Sequence, residues 1–322
     1  MQNKFDVVCI GDATLDITMC NIPKDALSVD SSYADSILIS SGGDATNQAA
    51  VLSALGCSTA LVAKVGNDAI GNLIYTKIQD DLISQGYLVR ADDKSSGFCI
   101  VVVMPNGERS FLVWAGSGKK DLSLSEIDMR FLEETKAICV GSLFCLKELD
   151  NGGIKEIFSK AKTRGILTFA DMTADAYGIG GTAFLDTYPY IDYLMPSLVE
   201  AQYVTGKDSP KDIASCLLES GVKNVVLKLG DKGCYFKNAI EEFYVNPYVI
   251  EAIDTTGCGD NFTAAFIYGV LNGYDMYNSV LFGCAAGAIN ATRIGAHGAI
   301  ISAEQVLKFQ KQNKQLEIKR EN

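Results

Sequence analysis

Seven consecutive residues, Asp254-Thr255-Thr256-Gly257-Cys258-Gly259-Asp260, join a glycine turn to a carboxylate. They run straight into Asn261-Phe262-Thr263-Ala264-Ala265-Phe266-Ile267-Tyr268, which is apolar on nearly every side of a helix and so reads as buried. Backbone amides of such a turn, with the positive end of the helix dipole behind them, form an anion site. A carboxylate in the first helical turn opposes a phosphate there, unless it is a base that takes a proton from a hydroxyl attacking the phosphorus beside it. The same residues also fit a glycine turn with Asp260 as a plain helix cap.

A second group lies near the N-terminus. Phe5–Ile10 is a short apolar run closed by Gly11-Asp12, and Asp16 follows four residues later. Two carboxylates just past the carboxyl end of a strand sit where α/β proteins bind ligands, and they suit sugar hydroxyls as hydrogen-bond acceptors. A solvated turn capped by aspartate explains them equally well. Further on, Ser41-Gly42-Gly43-Asp44-Ala45-Thr46-Asn47 opens an Ala-rich helix that stops at Gly56, with Asn47 in its first turn.

The composition narrows the classes of function. The chain has 322 residues and a net charge of -11, with no basic run, so nucleic acid and anionic membrane are poor partners. Ten cysteines, none in a CxxC pair, read as reduced thiols of a cytoplasmic protein. With His297 as the single histidine, a His-based zinc site or a Ser-His-Asp triad is nearly excluded. No signal peptide is expected from the N-terminal segment, and no apolar run approaches the roughly 20 residues of a membrane span.

The elements that position these groups alternate. Strands are expected at 5–10, 59–65, 137–143, 166–171, 191–195 and 224–229. Helices are expected at 71–84, 152–163, 198–205, 212–220 and 278–293. Almost continuously apolar strands argue for a parallel sheet covered on both faces. Phe98–Met104 and Ser110–Trp114, joined through Asn106-Gly107, form a hairpin that interrupts the alternation. With part of 17–40 it reads as an appended lid. The tail from Gln310 is polar.

Three motifs in this order resemble the ribokinase (PfkB) family of sugar and nucleoside kinases across nearly the whole chain. They are Gly11-Asp12 with Asp16, Gly42-Gly43 through Asn47 with Gly56 and Gly66, and the 254–260 turn with its helix. The resemblance implies an α/β fold with a doubly wound, mostly parallel sheet flanked by helices and a small β-sheet lid. It implies a single kinase domain over 1–310, with the lid from about 13–40 and 92–117, and a polar tail at 311–322. Asp260 takes the part of the catalytic base, and the amides of Gly257, Cys258 and Gly259 stabilise the transferred phosphoryl. Asp12, Asp16, Gly43 and Asn47 would hold substrate hydroxyls. Lys228, Gly230, Lys232 and Gly233 resemble the nucleotide-phosphate turn, with Gly257 and Gly259 also facing ATP. Glu200 matches the acidic residue that organises Mg²⁺ through water, though alone it reads as an exposed helix carboxylate. Asp254, Thr256, Asn290, Arg293 and Gly295 match a monovalent-cation loop, so K⁺ is expected beside Mg²⁺ and ATP.

The chain also departs from the family pattern. Ser197 stands where an Asn is common, Cys258 where Ala is, Cys284 where an Asn lies near adenine, and Ala299 where some members offer a Ser oxygen. Gly141-Ser142-Leu143-Phe144-Cys145 lacks the acid that ribokinases tend to carry there. Asp44, with Asp12 and Asp16, makes an acidic pocket suited to a neutral polyol such as ribose, fructose or a cyclitol. Arg109 on the hairpin either greets an anionic substrate or is an exposed charge. Phe98, Phe111, Trp114 and Phe144 either wall a pocket or seal the lid. The expected activity is therefore transfer of the γ-phosphoryl of ATP to a sugar hydroxyl. A nucleoside kinase and a non-catalytic sugar-binding protein are the alternatives. The lid edge is expected to pair with a second copy as a homodimer.

Overall fold

The computed structural model describes residues 3–105, 108–116, 121–316 and 318. The strands are β1 (Phe5–Ile10), β2 (Thr14–Cys20), β3 (Ser36–Gly42), β4 (Thr59–Val62), β5 (Lys64–Gly66), β6 (Val89–Ala91), β7 (Gly97–Val103), β8 (Arg109–Trp114), β9 (Thr135–Leu143), β10 (Leu167–Met172), β11 (Tyr193–Leu194), β12 (Asn224–Lys228), β13 (Cys234–Asn238) and β14 (Glu242–Val245). The helices are α1 (Asp44–Ala54), α2 (Ala69–Asp80), α3 (Lys147–Asp150), α4 (Gly153–Thr163), α5 (Leu198–Thr205), α6 (Pro210–Glu219), α7 (Cys258–Leu271), α8 (Met276–Ala291) and α9 (Ala303–Gln312).

Eight strands form the main sheet in the order β14-β13-β12-β11-β10-β9-β1-β4. From β4 to β12 every pairing is parallel, and β13 and β14 close the far edge antiparallel. Alternate residues feed two cores. Val7, Cys9, Ala137 and Cys139 face the side covered by α1, α2, α7, α8 and α9. Val8, Ile10, Ile138 and Val140 face the side of α3, α4, α5 and α6. Burial on both faces is why these strands are apolar without a break. A second sheet, β3-β2-β7-β8, stands apart, and β5 and β6 make a two-stranded third. No helix among the described residues is long and apolar enough to cross a membrane.

Several expectations shift. Asp12 to Asp16 is not one turn: β2 begins at Thr14 and carries Asp16 within it. The strand expected over 59–65 breaks after Val62, and its second part pairs with β6 in the small sheet. The strand at 191–195 shrinks to Tyr193–Leu194. Asp68 caps α2 by accepting from the Gly71 amide at 2.7 Å, so that helix starts at Ala69, not Gly71. Helix α9 runs to Gln312, past the start of the expected polar tail. The β7–β8 pair is antiparallel as the hairpin reading requires, while its Asn106-Gly107 turn lies outside the described residues.

The chain reverses direction across the sheet between β1 and β9, since β4 lies on one side of β1 and β9 on the other. Ligands of open α/β sheets bind outside the carboxyl ends at such a point. Helix α1 is lowered onto it. A Cβ placed on Gly141, in β9, would stand 2.5 Å from the Ala45 nitrogen, so a glycine lets the helix descend. Gly141→Ala should therefore destabilise the protein by roughly 1–3 kcal/mol in urea unfolding. A variant as stable as the parent would show that α1 has room to retreat.

Candidate active site

The carboxyl ends of the parallel strands bring the sequence motifs together. Gly257 caps α7 with φ of +69°, and a Cβ there would lie 2.0 Å from the Ala296 carbonyl oxygen, so only glycine makes this turn. The first amides of α7 have no carbonyl one turn back to bond and so are left as donors of the kind that bind anions. One of the three expected donors is partly engaged, because the Cys258 amide donates to Thr255 O across 3.3 Å. Burial pushes the Cys258 thiol up to about 11. The ten cysteines are all free thiols.

Asp260 follows in the first turn of α7, 8% exposed. Asn47 Nδ2 donates to Asp260 Oδ2 at 2.8 Å, and Gln48 Nε2 donates to Oδ1 at 3.2 Å. Gln48 also donates to the Gly141 carbonyl at 3.2 Å and accepts from the Cys139 thiol at 3.2 Å. It therefore fixes the carboxylate relative to β9. Helix neighbours seldom face one target, which hid Gln48 behind Asn47. Asn47 Oδ1 is buried and finds no hydrogen-bond partner among the described residues.

Asp12, Asp16 and the glycine pair are also gathered. A Cβ on Gly43 would lie 2.6 Å from the Asp12 carbonyl oxygen, and one on Gly42 would meet the Asp16 carboxyl at 2.3 Å. Thr46 Oγ1 donates to Asp12 O at 2.9 Å, and Thr14 Oγ1 to Asp16 Oδ1 at 3.2 Å. Asp44 opens α1 and accepts from Ser142 Oγ at the end of β9.

A second charged group enters from β10 and β12. Lys228 Nζ donates to both oxygens of Asp171, at 2.7 and 2.6 Å, and Thr263 Oγ1 of α7 donates to Asp171 Oδ2 at 2.7 Å. The same Nζ lies 3.4 Å from where a Cβ on Gly259 would sit, so a positive charge abuts the anion turn. Burial pulls the ammonium down, but Asp171 and Glu200 outweigh it and keep it raised. Sequence reasoning missed Asp171, although a carboxylate at the end of an apolar strand was the very signal that singled out Asp12. The remaining nucleotide residues, Gly230, Lys232 and Gly233, connect β12 to β13, with Lys232 exposed.

Glu200 is not an exposed helix carboxylate. It closes a capping box at the start of α5, accepting from the Ser197 amide at 2.7 Å. Burial, and then the Asp171 charge, raise it despite the opposing Lys228. No cluster of three or more His, Cys, Asp or Glu able to cage a metal exists among the described residues. Glu200 offers one carboxylate, and Mg²⁺ is commonly held by one or two carboxylates with waters and substrate phosphates.

Most of the residues matched to a cation loop come together, around an arginine from elsewhere. Arg109 Nη1 donates to Asp254 Oδ1 and to Thr256 Oγ1, and Nη2 donates to Thr255 Oγ1 at 2.7 Å. Arg109 is therefore not an exposed hairpin charge. Asp254 Oδ2 accepts from the Gly295 amide at 2.9 Å, and Asn290 Nδ2 donates to Thr256 O at 2.7 Å. Arg293 points to solvent. Burial pushes the Asp254 carboxyl up, but the Gly295 and Thr256 hydrogen bonds and the Arg109 charge hold it below the usual range. Of the candidate aromatics, Phe144 is buried against Phe184 and Tyr203 and belongs to the core. Phe282 and Ile289 are core residues too.

Burial, and then the nearby Asp44 charge, raise Asp260 well above the usual carboxylate range, against the Asn47 hydrogen bond. The fold is thus most favoured with Asp260 protonated, a stabilisation complete below about pH 4 and lost as pH rises through the folded-state value. Asp260→Asn, neutral at every pH, should melt higher than the parent at pH 8, and the gain should vanish toward pH 4. The flipped Asn47 amide can accept from the new Nδ2. A melting-temperature difference independent of pH would contradict a raised Asp260.

A family model described as pfkB family carbohydrate kinase matches residues 4–303. An ATP-dependent 6-phosphofructokinase of Thermoanaerobacterium thermosaccharolyticum is 25% identical over 300 residues, 92% of this chain and 90% of its own. The crystal structure of a Thermotoga maritima ribokinase is 26% identical, with a TM-score of 0.80 over 95% of this chain and 99% of that one. An Arabidopsis thaliana ribokinase complexed with ribose and ATP, 24% identical, shares the fold with a TM-score of 0.78 over 97% of this chain and 99% of its own. With a family model spanning nearly its whole length and the doubly wound sheet beneath it, the chain belongs to the pfkB family of carbohydrate kinases.

Proposed function

We propose that the chain transfers the γ-phosphoryl group of ATP to a hydroxyl of a neutral polyhydroxy acceptor, a free sugar or a cyclitol. The observation that carries this reading is the Asp260 carboxylate at the N-terminus of α7, held on both oxygens by Asn47 and Gln48 beside the glycine turn. In the proposal Asp260 receives the proton of the attacking hydroxyl, and its raised affinity for protons makes it a stronger base than an ordinary carboxylate. The Gly257, Cys258 and Gly259 amides and the Lys228 ammonium face the phosphoryl oxygens. Gly230, Lys232 and Gly233 take the nucleotide side. Mg²⁺, when bound near Glu200, neutralises charge on the phosphates.

The acceptor follows from charge. Asp12, Asp16 and Asp44 crowd the pocket, while Arg109 is tied to Asp254 and Lys228 to Asp171. A phosphorylated acceptor, as the name of the Thermoanaerobacterium relative implies for that protein, would meet carboxylates here. A neutral one finds hydroxyl acceptors, including the open Asn47 Oδ1. Free thiols throughout suit the reducing cytoplasm.

The test is ADP release with Mg-ATP against free sugars, cyclitols, nucleosides and sugar phosphates. One strong neutral acceptor is expected, with Asp260→Asn folded and slower by roughly 10²–10⁴-fold. Turnover only on phosphorylated sugars would refute the acidic-pocket argument, and parent-like turnover in Asp260→Asn would refute the base.

The four-stranded sheet, proposed as a lid over the acceptor, also carries an exposed apolar surface. Ile37, Leu38 and Ile39 on β3 and Phe111, Leu112, Val113 and Trp114 on β8 are each at least 40% exposed. Both strands are edges. Such edges are covered in stable proteins, and a second copy of the same sheet is the proposed cover. Sedimentation should show a dimer that Val113→Lys weakens. A parent that stays monomeric at every concentration would overturn the pairing.

A further inference from the structure

Asp254 buries a carboxylate, its side chain 2% exposed, three residues before the glycine that turns the chain toward the phosphate site. A negative charge at that depth, so near phosphate oxygens, requires a counter-charge. A monovalent cation meets that need only if several oxygens replace its water shell. Here the side-chain oxygens of Asp254 and Thr256, and the Thr256 carbonyl, already accept from donors. Asp254 Oδ1 accepts from Arg109 and from the Thr256 amide, and Oδ2 accepts from the Gly295 amide. The Thr256 hydroxyl accepts from Arg109, and the Thr256 carbonyl accepts from Asn290. An added cation would have to share Oδ1 with a guanidinium already in contact or Oδ2 with the Gly295 amide. Among the side chains of this loop, the buried acceptor left without a partner is Asn290 Oδ1, a single neutral oxygen.

The guanidinium does what such an ion would do and more. It carries the compensating charge, and its two-pronged geometry ties Thr255 and Thr256 to Asp254, stiffening the segment that aims the 257–259 amides. Arg109 is also the first residue of β8 and so belongs to the small sheet, not to the body. A second contact supports the same approach of the two parts: His297 Nε2, on the loop after α8, lies 2.9 Å from Ser41 O and 3.1 Å from Ser41 Oγ on β3.

We infer that Arg109 takes the place of the monovalent cation in the 254–256 loop, so that the kinase works without K⁺ and the counter-charge reaches the anion turn only when the small sheet is seated. The inference rests on the kinase reading for its activity arm but not for its binding arm. The binding arm is the melting temperature of the full chain as K⁺ replaces tetramethylammonium at constant ionic strength. The parent should be flat. Arg109→Ala, which frees Asp254 and opens space beside it, should melt about 2–4 °C higher in saturating K⁺ than in tetramethylammonium. In the activity arm, parent ADP release should be indifferent to K⁺, while Arg109→Ala should lose turnover and recover part of it with K⁺.

A parent that melts higher or turns over several-fold faster in K⁺ overturns the inference, because ion and arginine then coexist. An Arg109→Ala protein that ignores K⁺ in both arms also overturns it, because no cation position lies beneath the guanidinium. Arg109→Gln serves as the second variant if the alanine protein does not fold, with the same expected rise. If no acceptor is turned over at all, the kinase reading fails in the activity arm while the melting arm still decides on Arg109.

Discussion

The structure depends on keeping one carboxylate ionisable where water is nearly absent. Asp260 is buried at the head of α7 amid other acids, and a lone charge in that setting would be expelled or neutralised. The chain surrounds it with compensation from three directions. Helix α1 descends onto the sheet to supply two amide donors, and the helix dipole of α7 lies beneath it. Lys228 brings a positive charge from β12, itself steadied by Asp171 of β10. The glycine contact at position 141 matters because it sets how far α1 descends, and so whether Asn47 and Gln48 reach Asp260 at all.

That arrangement explains what the sequence disclosed. The continuous apolar strands announced a sheet covered on both faces, and two cores of alternating residues lie against it. Glycine-rich turns before apolar helices announced α1 and α7, because few other signals combine so specifically. Less legible were the partners that act across elements. Gln48 carries no signal of its own, and its part shows only where α1 meets α7. Asp171 stood at the end of an ordinary strand, and only its ion pair with Lys228 marks it. Arg109, one step past a turn, looked like surface charge, since nothing in its own segment points to residues 145 positions away. The strand at 59–65 was misjudged because its break after Val62 follows from a different sheet's demand for β5, which periodicity cannot register.

In the proposed kinase reading, the two sheets divide the work. The main sheet holds groups that must not move relative to one another: the turn, Asp260, Lys228 and α1. The smaller sheet contributes Asp16 from within β2 and Arg109 from β8, so in the proposed kinase reading its seating would change both acceptor contacts and loop charge at once. A motion that shuts out water and completes electrostatics in one step is how kinases avoid wasting ATP on hydrolysis.

The Asp171–Lys228 pair restricts how this protein can change over time. Losing either partner strands the other's charge in the interior, a penalty of about 3–5 kcal/mol, which is a large part of the margin of a typical fold. Replacing both together with apolar residues costs far less. Single-step drift at either position is therefore a dead end, and lineages leaving this solution should be found to have changed both residues, with Thr263 following because its hydroxyl leans on the same carboxylate.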